Sequence, residues 1–232
     1  MIPLKDNIPS STTPYVNYGL IGVNFLFFGW ELTWGSHLPL LIEALGFVPA
    51  RFIGLLGEGG HNWPAIVIPL FSSLFLHSGW FHIIANLWFL FIFGDNVEDI
   101  LGHGRYLLFY LVCGAGANLV YLMFAPTSTI PLIGASGAIA GVMGAYFTLF
   151  PGARVLTLFI IIIFPIFLEL PAYFFLGLWF LLQFFYGSFT SAYLAAQRGG
   201  VAWWAHVGGF LIGILLLAVL MPHRVRHRWL RR

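Results

Sequence analysis

Charge is what this sequence has least of. Of its 232 residues only 8% are Asp, Glu, Lys or Arg, while 60% are hydrophobic and 19% aromatic. A soluble domain is about one quarter charged. The composition therefore excludes an ordinary soluble domain and points to a polytopic membrane protein. Cysteine is nearly missing as well. Cys113 stands alone, which excludes an internal disulfide and any zinc cluster built on cysteines. There is no HExxH pair to hold a catalytic metal, and no motif calls for a cofactor or for nucleic acid. The opening stretch, MIPLKDNIPSSTTPYVNY, lacks the basic start and apolar core of a cleavable signal, so the first apolar span is expected to act as its own insertion signal.

What is present is a series of long apolar runs. Six spans are predicted, at about 18–35, 79–98, 105–124, 134–150, 171–190 and 203–221. The segment 36–78 is too broken to span and too apolar to be a free loop. It reads as interfacial helices. Residues 155–170 (VLTLFIIIIFPIFLEL) are interrupted by Pro165 and Pro171 and read as a membrane-dipping loop. An even count of spans also satisfies the charges. With the N-terminus in the cytoplasm, Lys5, Arg105, Arg154 and the five arginines from Arg224 to Arg232 fall inside, against Arg51 and Arg198 outside, as the positive-inside tendency requires. The predicted organisation is a short cytoplasmic segment (1–17), a transmembrane domain (18–221) and a basic cytoplasmic tail (222–232).

The fourth span contains GASGAIAGVMGAY, residues 134–146, with Ser136 as its single hydroxyl. At about 17 residues the span is short for a hydrocarbon core of about 30 Å, so its N-terminal end is expected in a wet cavity. Backbone N–H groups in a first helical turn are unpaired and favour a developing anion. Gly134 leaves room for a substrate backbone. Gly137 and Gly141 permit tight contact with a neighbouring helix. The alternative for this stretch is plain small-residue packing, with Ser136 as one small residue among others.

The sixth span contains AHVGGFLIG, with His206 near its outer end and Gly209 and Gly213 spaced i, i+4. Histidines inside membranes are rare and mark functional sites. Packing of Gly209 and Gly213 on Gly137 and Gly141 would bring His206 beside Ser136, where it could act as a general base. The alternative is a histidine bonded to a backbone carbonyl for packing. In the second span His82 and Asn86 share a helix face and can donate to an oxyanion together with a backbone N–H. His77, just before that span, is expected to tie the preceding loop to the helix. A metal site combining His77, His82 and His206 lacks an acidic ligand.

Together, HxxxxHxxxN at 77–86, GxSGA at 134–138 and AHxGG at 205–209 resemble the rhomboid intramembrane serine proteases. FGDNVED (93–99) and GHGRY (102–106) are similar to the bacterial type. The resemblance covers about 77–215. It implies an all-α, six-helix membrane bundle with a large interfacial first loop, seated in a bacterial plasma membrane with both termini cytoplasmic. It implies cleavage of transmembrane segments of other proteins near the outer face, without a cofactor. On this resemblance Ser136 is the nucleophile and His206 the base. His82, Asn86 and the Ser136 N–H form the oxyanion hole, and Glu98 is a structural glutamate at the inner end of the second span.

Two departures stand out. Several members carry a tyrosine four residues after the serine, stacked on the histidine, where this chain has Ala140. Tyr146 and Trp203 are then the candidates for orienting His206. The first loop also lacks a tryptophan–arginine pair found in some relatives. A competing function is that of a non-catalytic chaperone or trafficking factor on the same scaffold, but such relatives typically lack the serine or the histidine. A small transporter would be expected to show internal repeats, and none is clear. The bulky fifth span (Phe174, Phe175, Trp179, Phe180, Phe184) lacks small faces and is the candidate side gate.

Overall fold

Each of the six apolar stretches forms a helix in the computed structural model of the chain, which describes residues 1–59, 61–189 and 202–222. These helices are α1 (Tyr15–Thr33), α5 (Trp80–Leu101), α6 (His103–Phe124), α7 (Ser136–Leu149), α8 (Ala172–Phe189) and α9 (Trp203–Leu220). Four of them, α5, α6, α8 and α9, are long and apolar enough to cross a bilayer. Helix α1 buries three polar side chains, Asn17, Asn24 and Glu31, and α7 has only 14 residues. The basic tail from Arg224 to Arg232, and Arg198, lie outside the described residues.

The first loop folds into three short helices, α2 (Leu38–Leu45), α3 (Pro49–Gly57) and α4 (Trp63–Ser72). Each has proline in its first turn, where the missing N–H has no helical partner to lose. The Arg51 guanidinium donates to the Glu43 and Gly46 carbonyls at 2.5 and 2.8 Å and so closes the C-terminal end of α2. Phe47 and Leu132 exchange two backbone hydrogen bonds of 3.0 and 2.8 Å. They lace this loop to the segment leading into α7.

Helix α7 is the centre of the bundle, in contact with α5, α6, α8 and α9. Its residues from Gly137 to Tyr146 are all buried. Glycines set its distances. A Cβ on Gly209 or Gly213 would overlap the carbonyl oxygen of Gly137 or Gly141 respectively, so α9 lies directly on the α7 backbone. The bare sides of Gly137 and Gly141 serve mainly the opposite neighbour, α6, where added Cβ atoms would meet Ala117 and Cys113 at 2.7 and 2.5 Å. Helix α7 is thus clamped between two helices through small residues on both sides, the close packing that substitutes for hydrophobic drive in lipid.

The segment predicted as a membrane-dipping loop folds as a β-hairpin, β2 (Arg154–Ile161) and β3 (Phe164–Pro171), and the N-terminal residues β1 (Ile2–Asp6) add a third antiparallel strand in the order β1-β2-β3. The run VLTLFIIII favours strand because its branched side chains suit a pleated surface. Pro165 and Pro171 sit on the edge strand, where a missing N–H is tolerated. The bundle is otherwise helical as expected. Tyr146 of α7 donates to Asp6, which ties the sheet to the end of α7 opposite Ser136.

The FGDNVED stretch holds the start of α1. Pro14 provides no side-chain cap for this helix. Glu98 reaches over from α5 and accepts from the Val16 and Asn17 amides at 3.0 and 2.7 Å, with the His103 ring at 2.5 Å completing its partners. The negative charge meets the positive end of the α1 dipole. Asp99 receives the Ser11 and Thr12 amides at 3.1 and 2.9 Å, and the Asn96 amide donates to the Ile8 carbonyl at 2.9 Å. Gly94 is required here because a Cβ would run into Asn17, whose side chain joins the Leu90 carbonyl and the Tyr106 hydroxyl.

The glycine clamp makes a sharp contrast between two alanine substitutions. Gly209→Ala should destabilise the fold by about 1–3 kcal/mol through overpacking. Gly29→Ala, on an open face of α1 with nothing within 4 Å, should be neutral or stabilise by up to about 1 kcal/mol. Thermal melting in detergent micelles reads both, and a Gly209→Ala protein that melts at or above the wild-type temperature would remove the clamp from the account.

Candidate active site

Ser136 is the first residue of α7, and His206 lies in the first turn of α9. Because α7 and α9 run in contact with these ends together, the two side chains meet across 70 residues of sequence: His206 Nε2 is 2.8 Å from Ser136 Oγ. A helix of 14 residues is about 21 Å long, shorter than a hydrocarbon core of about 30 Å. Ala135 provides no side-chain cap. The amides of the first α7 turn therefore keep their donor capacity beside the hydroxyl.

On the far side of the imidazole, His206 Nδ1 is 2.7 Å from Gln183 Oε1. An amide oxygen only accepts, so Nδ1 carries the proton and Nε2 presents its lone pair to Ser136. Gln183 and His206 are both buried. Neither residue proposed for this task from the sequence performs it. Tyr146 points to Asp6 at the other end of α7, and the Trp203 ring only flanks His206 edge-on at 6.3 Å. The Trp179 ring lies on another side, 5.9 Å away. Ala140 is buried against α9, where it would meet a Cβ on Gly209 at 3.3 Å.

His82 and Asn86 approach from α5. Gly134, with φ +123° and its amide bonded to the Ser73 carbonyl at 2.9 Å, runs directly against them. A Cβ there would lie 2.8 Å from His82 Nε2 and 3.6 Å from Asn86 Nδ2. The Ser78 amide, which can only donate, faces His82 Nδ1 at 3.4 Å, with the Ser78 hydroxyl at 3.1 Å. The His82 proton therefore resides on Nε2, the nitrogen turned toward Gly134. Asn86 Nδ2 is buried without a hydrogen-bond partner. Two donors thus converge on the strand entering Ser136, and the Asn86 donor is unsatisfied.

His77 ties the loop to the bundle, but through its backbone. Its amide donates to both carboxylate oxygens of the buried Glu31, at 3.0 and 3.2 Å. Its ring nitrogens have no partner, and its ring packs edge-on against His82 at 5.1 Å. Burial, with His82 alongside, pulls the His77 ring down to about 4, so it is neutral at pH 7. Gln183 and Glu31 are absent from the sequence-derived set. The signal for Glu31 was a lone acid in an apolar span, which is costly unless paired. Gln183 was the one amide in an otherwise aromatic span. Among the described residues, no three His, Cys, Asp or Glu side chains are grouped to hold a metal ion.

Comparison with known proteins bears on this arrangement. A family model for the rhomboid domain matches residues 64–223. The chain is 27% identical to Rhomboid protein 1, mitochondrial, of Saccharomyces cerevisiae over 207 residues, 85% of this chain and 51% of that one. It is 34% identical to Rhomboid protease GluP of Bacillus subtilis over 57% of this chain and 24% of that one. It is 42% identical to Rhomboid-like protein 11, chloroplastic, of Arabidopsis thaliana over 35% of this chain and 28% of that one. The chain spans about half the length of these relatives or less.

The unsatisfied Asn86 donor can be weighed by stability alone. A buried donor without a partner costs about 1–3 kcal/mol. Asn86→Leu, which removes it, should leave the melting temperature unchanged or raise it. A clear drop would mean that the amide makes a bond the fold needs.

Proposed function

Because the chain belongs to the rhomboid family, we propose that it is an intramembrane serine endopeptidase that cuts transmembrane segments of other membrane proteins near the outer face. The observation that carries this reading is the 2.8 Å approach of His206 Nε2 to Ser136 Oγ at the uncapped start of a short buried helix. Ser136 Oγ attacks the scissile carbonyl carbon as its proton passes to His206 Nε2. The tetrahedral oxyanion takes hydrogen bonds from His82 Nε2–H, Asn86 Nδ2–H and the Ser136 amide. His206 then gives the proton to the departing amine, leaving an acyl ester on Ser136. Water, activated in turn by His206, hydrolyses that ester and restores the serine. No buried carboxylate takes part, in keeping with the cost of placing one in a membrane.

The protease reading extends the name of the Bacillus relative, Rhomboid protease GluP, to this chain. The transmembrane protease domain is set at 18–221, with both termini in the cytoplasm on the positive-inside argument. Placement in a bacterial plasma membrane follows the Bacillus relative, whereas other relatives carry mitochondrial names.

Ser136→Ala and His206→Ala should each abolish cleavage of a transmembrane reporter in proteoliposomes, and the double variant should be no worse than either, because the two groups act as one unit. His82→Ala and Asn86→Ala should each lower kcat by about 10²–10³, or about 3 kcal/mol in the barrier. Wild-type protein should also take up a fluorophosphonate at Ser136, which a chaperone would not. Cleavage that survives Ser136→Ala sinks the serine-protease reading.

A further inference from the structure

Helix α8 is the least buried of the four long apolar helices. In its C-terminal half, from Leu181 to Phe189, only Gln183 and Gly187 are buried. They sit one turn apart on the face toward α9. Gly187 is a point of close approach. A Cβ there would meet Trp204 and Trp203 at 3.2 and 3.3 Å, and the Trp204 indole donates to the Gly187 carbonyl at 3.1 Å. One turn earlier, Gln183 Oε1 holds His206 Nδ1 at 2.7 Å.

We propose that Gln183 is the positioning residue for His206 and that, because α8 carries it, the Ser136–His206 pair is set for reaction only while α8 is seated on α9 at Gly187. This deepens the protease reading and rests on it. A glutamine facing an apolar helix bundle is costly unless its amide is bonded, and here the bond fixes which imidazole nitrogen is protonated. With α8 lifted, His206 loses the Gln183 acceptor for Nδ1–H, and the proton is free to shift to the nitrogen that must receive it from Ser136. The helix predicted from sequence as the side gate therefore also carries the group that readies the base. A substrate helix that displaces α8 on entry meets a disarmed pair until α8 closes behind it.

The test reads the imidazole directly. ¹⁵N-histidine spectra of the purified full chain in micelles, with His206 assigned by difference from His206→Ala, should show Nδ1 protonated and Nε2 bare in the wild type. Gln183→Met, which keeps the length and removes the acceptor, should give a mixed or reversed tautomer. It should also lower kcat about 10- to 100-fold with KM held within about twofold. Gln183→Glu keeps an acceptor and should retain the Nδ1 proton, so it carries the test if the methionine variant does not fold. Gly187→Leu touches neither member of the pair, yet should reproduce both changes, and combining it with Gln183→Met should add nothing.

An Nε2-protonated His206 in the wild type, a wild-type spectrum in Gln183→Met, or a lost Nδ1 proton in Gln183→Glu overturns the positioning role. A wild-type spectrum and kcat in Gly187→Leu overturns the dependence on α8. Failure of the protease reading is distinct: cleavage would then persist in Ser136→Ala, while the spectra still report whether Gln183 sets the tautomer.

Discussion

The approach of α9 to the backbone of α7 is the constraint on which the rest depends. Gly209 and Gly213 lie on the carbonyl oxygens of Gly137 and Gly141, a separation that no side chain at either position permits. The Ser136–His206 distance inherits it. Ser136 and His206 are carried on the facing ends of these two helices, and a shift of about 1 Å between them would break a 2.8 Å contact. Lipid offers no hydrophobic force to press helices together, so the closeness has to come from shape. The same logic extends to α6, where Ala117 and Cys113 occupy the bare sides of Gly137 and Gly141.

Polar groups in this bundle are few, and the ones described here do specific work. Glu98 replaces a missing cap at the start of α1, Glu31 anchors the residue before the second span's helix through its amide, and Gln183 holds the histidine. Each is a side chain from one helix satisfying a group outside that helix. In an apolar medium such bonds cannot be exchanged for water, so their geometry selects one arrangement of helices over its neighbours. Asn86 Nδ2 is one of several buried polar atoms without a partner, the His77 ring nitrogens among them, and it faces Gly134 on the segment that enters the candidate nucleophile.

Much of this was legible in the sequence for physical reasons. Six apolar runs became six helices because hydropathy over about 20 residues reports on the medium more than on tertiary detail. The pairing of Ser136 with His206 followed from two glycine rows at helical spacing. What escaped was set by contacts that cross the chain. The run at 155–170 is as apolar as a span, and its strand character became decisive only through pairing with residues 2–6. Gln183 carries no motif. Its meaning depends on the rotation of α8 about its own axis, which a helix crowded with bulky apolar residues on all sides does not disclose. Ala140 departs from the expected pattern, and the group bonded to the far nitrogen of His206 comes from a different helix, α8.

The N-terminal strand has a consequence for how the molecule is made. Its partners are Val155 to Leu158 in β2 and, through Asp6, Tyr146. A ribosome delivers residues 2–6 some 140 residues or more ahead of these partners, with the helices from α1 to α6 synthesised in between. During that interval the strand has no mate. Its docking is therefore a late event in biogenesis, a long-range closure that follows the local formation of helices. The sheet acts as a latch, shut once the central helix has reached its place.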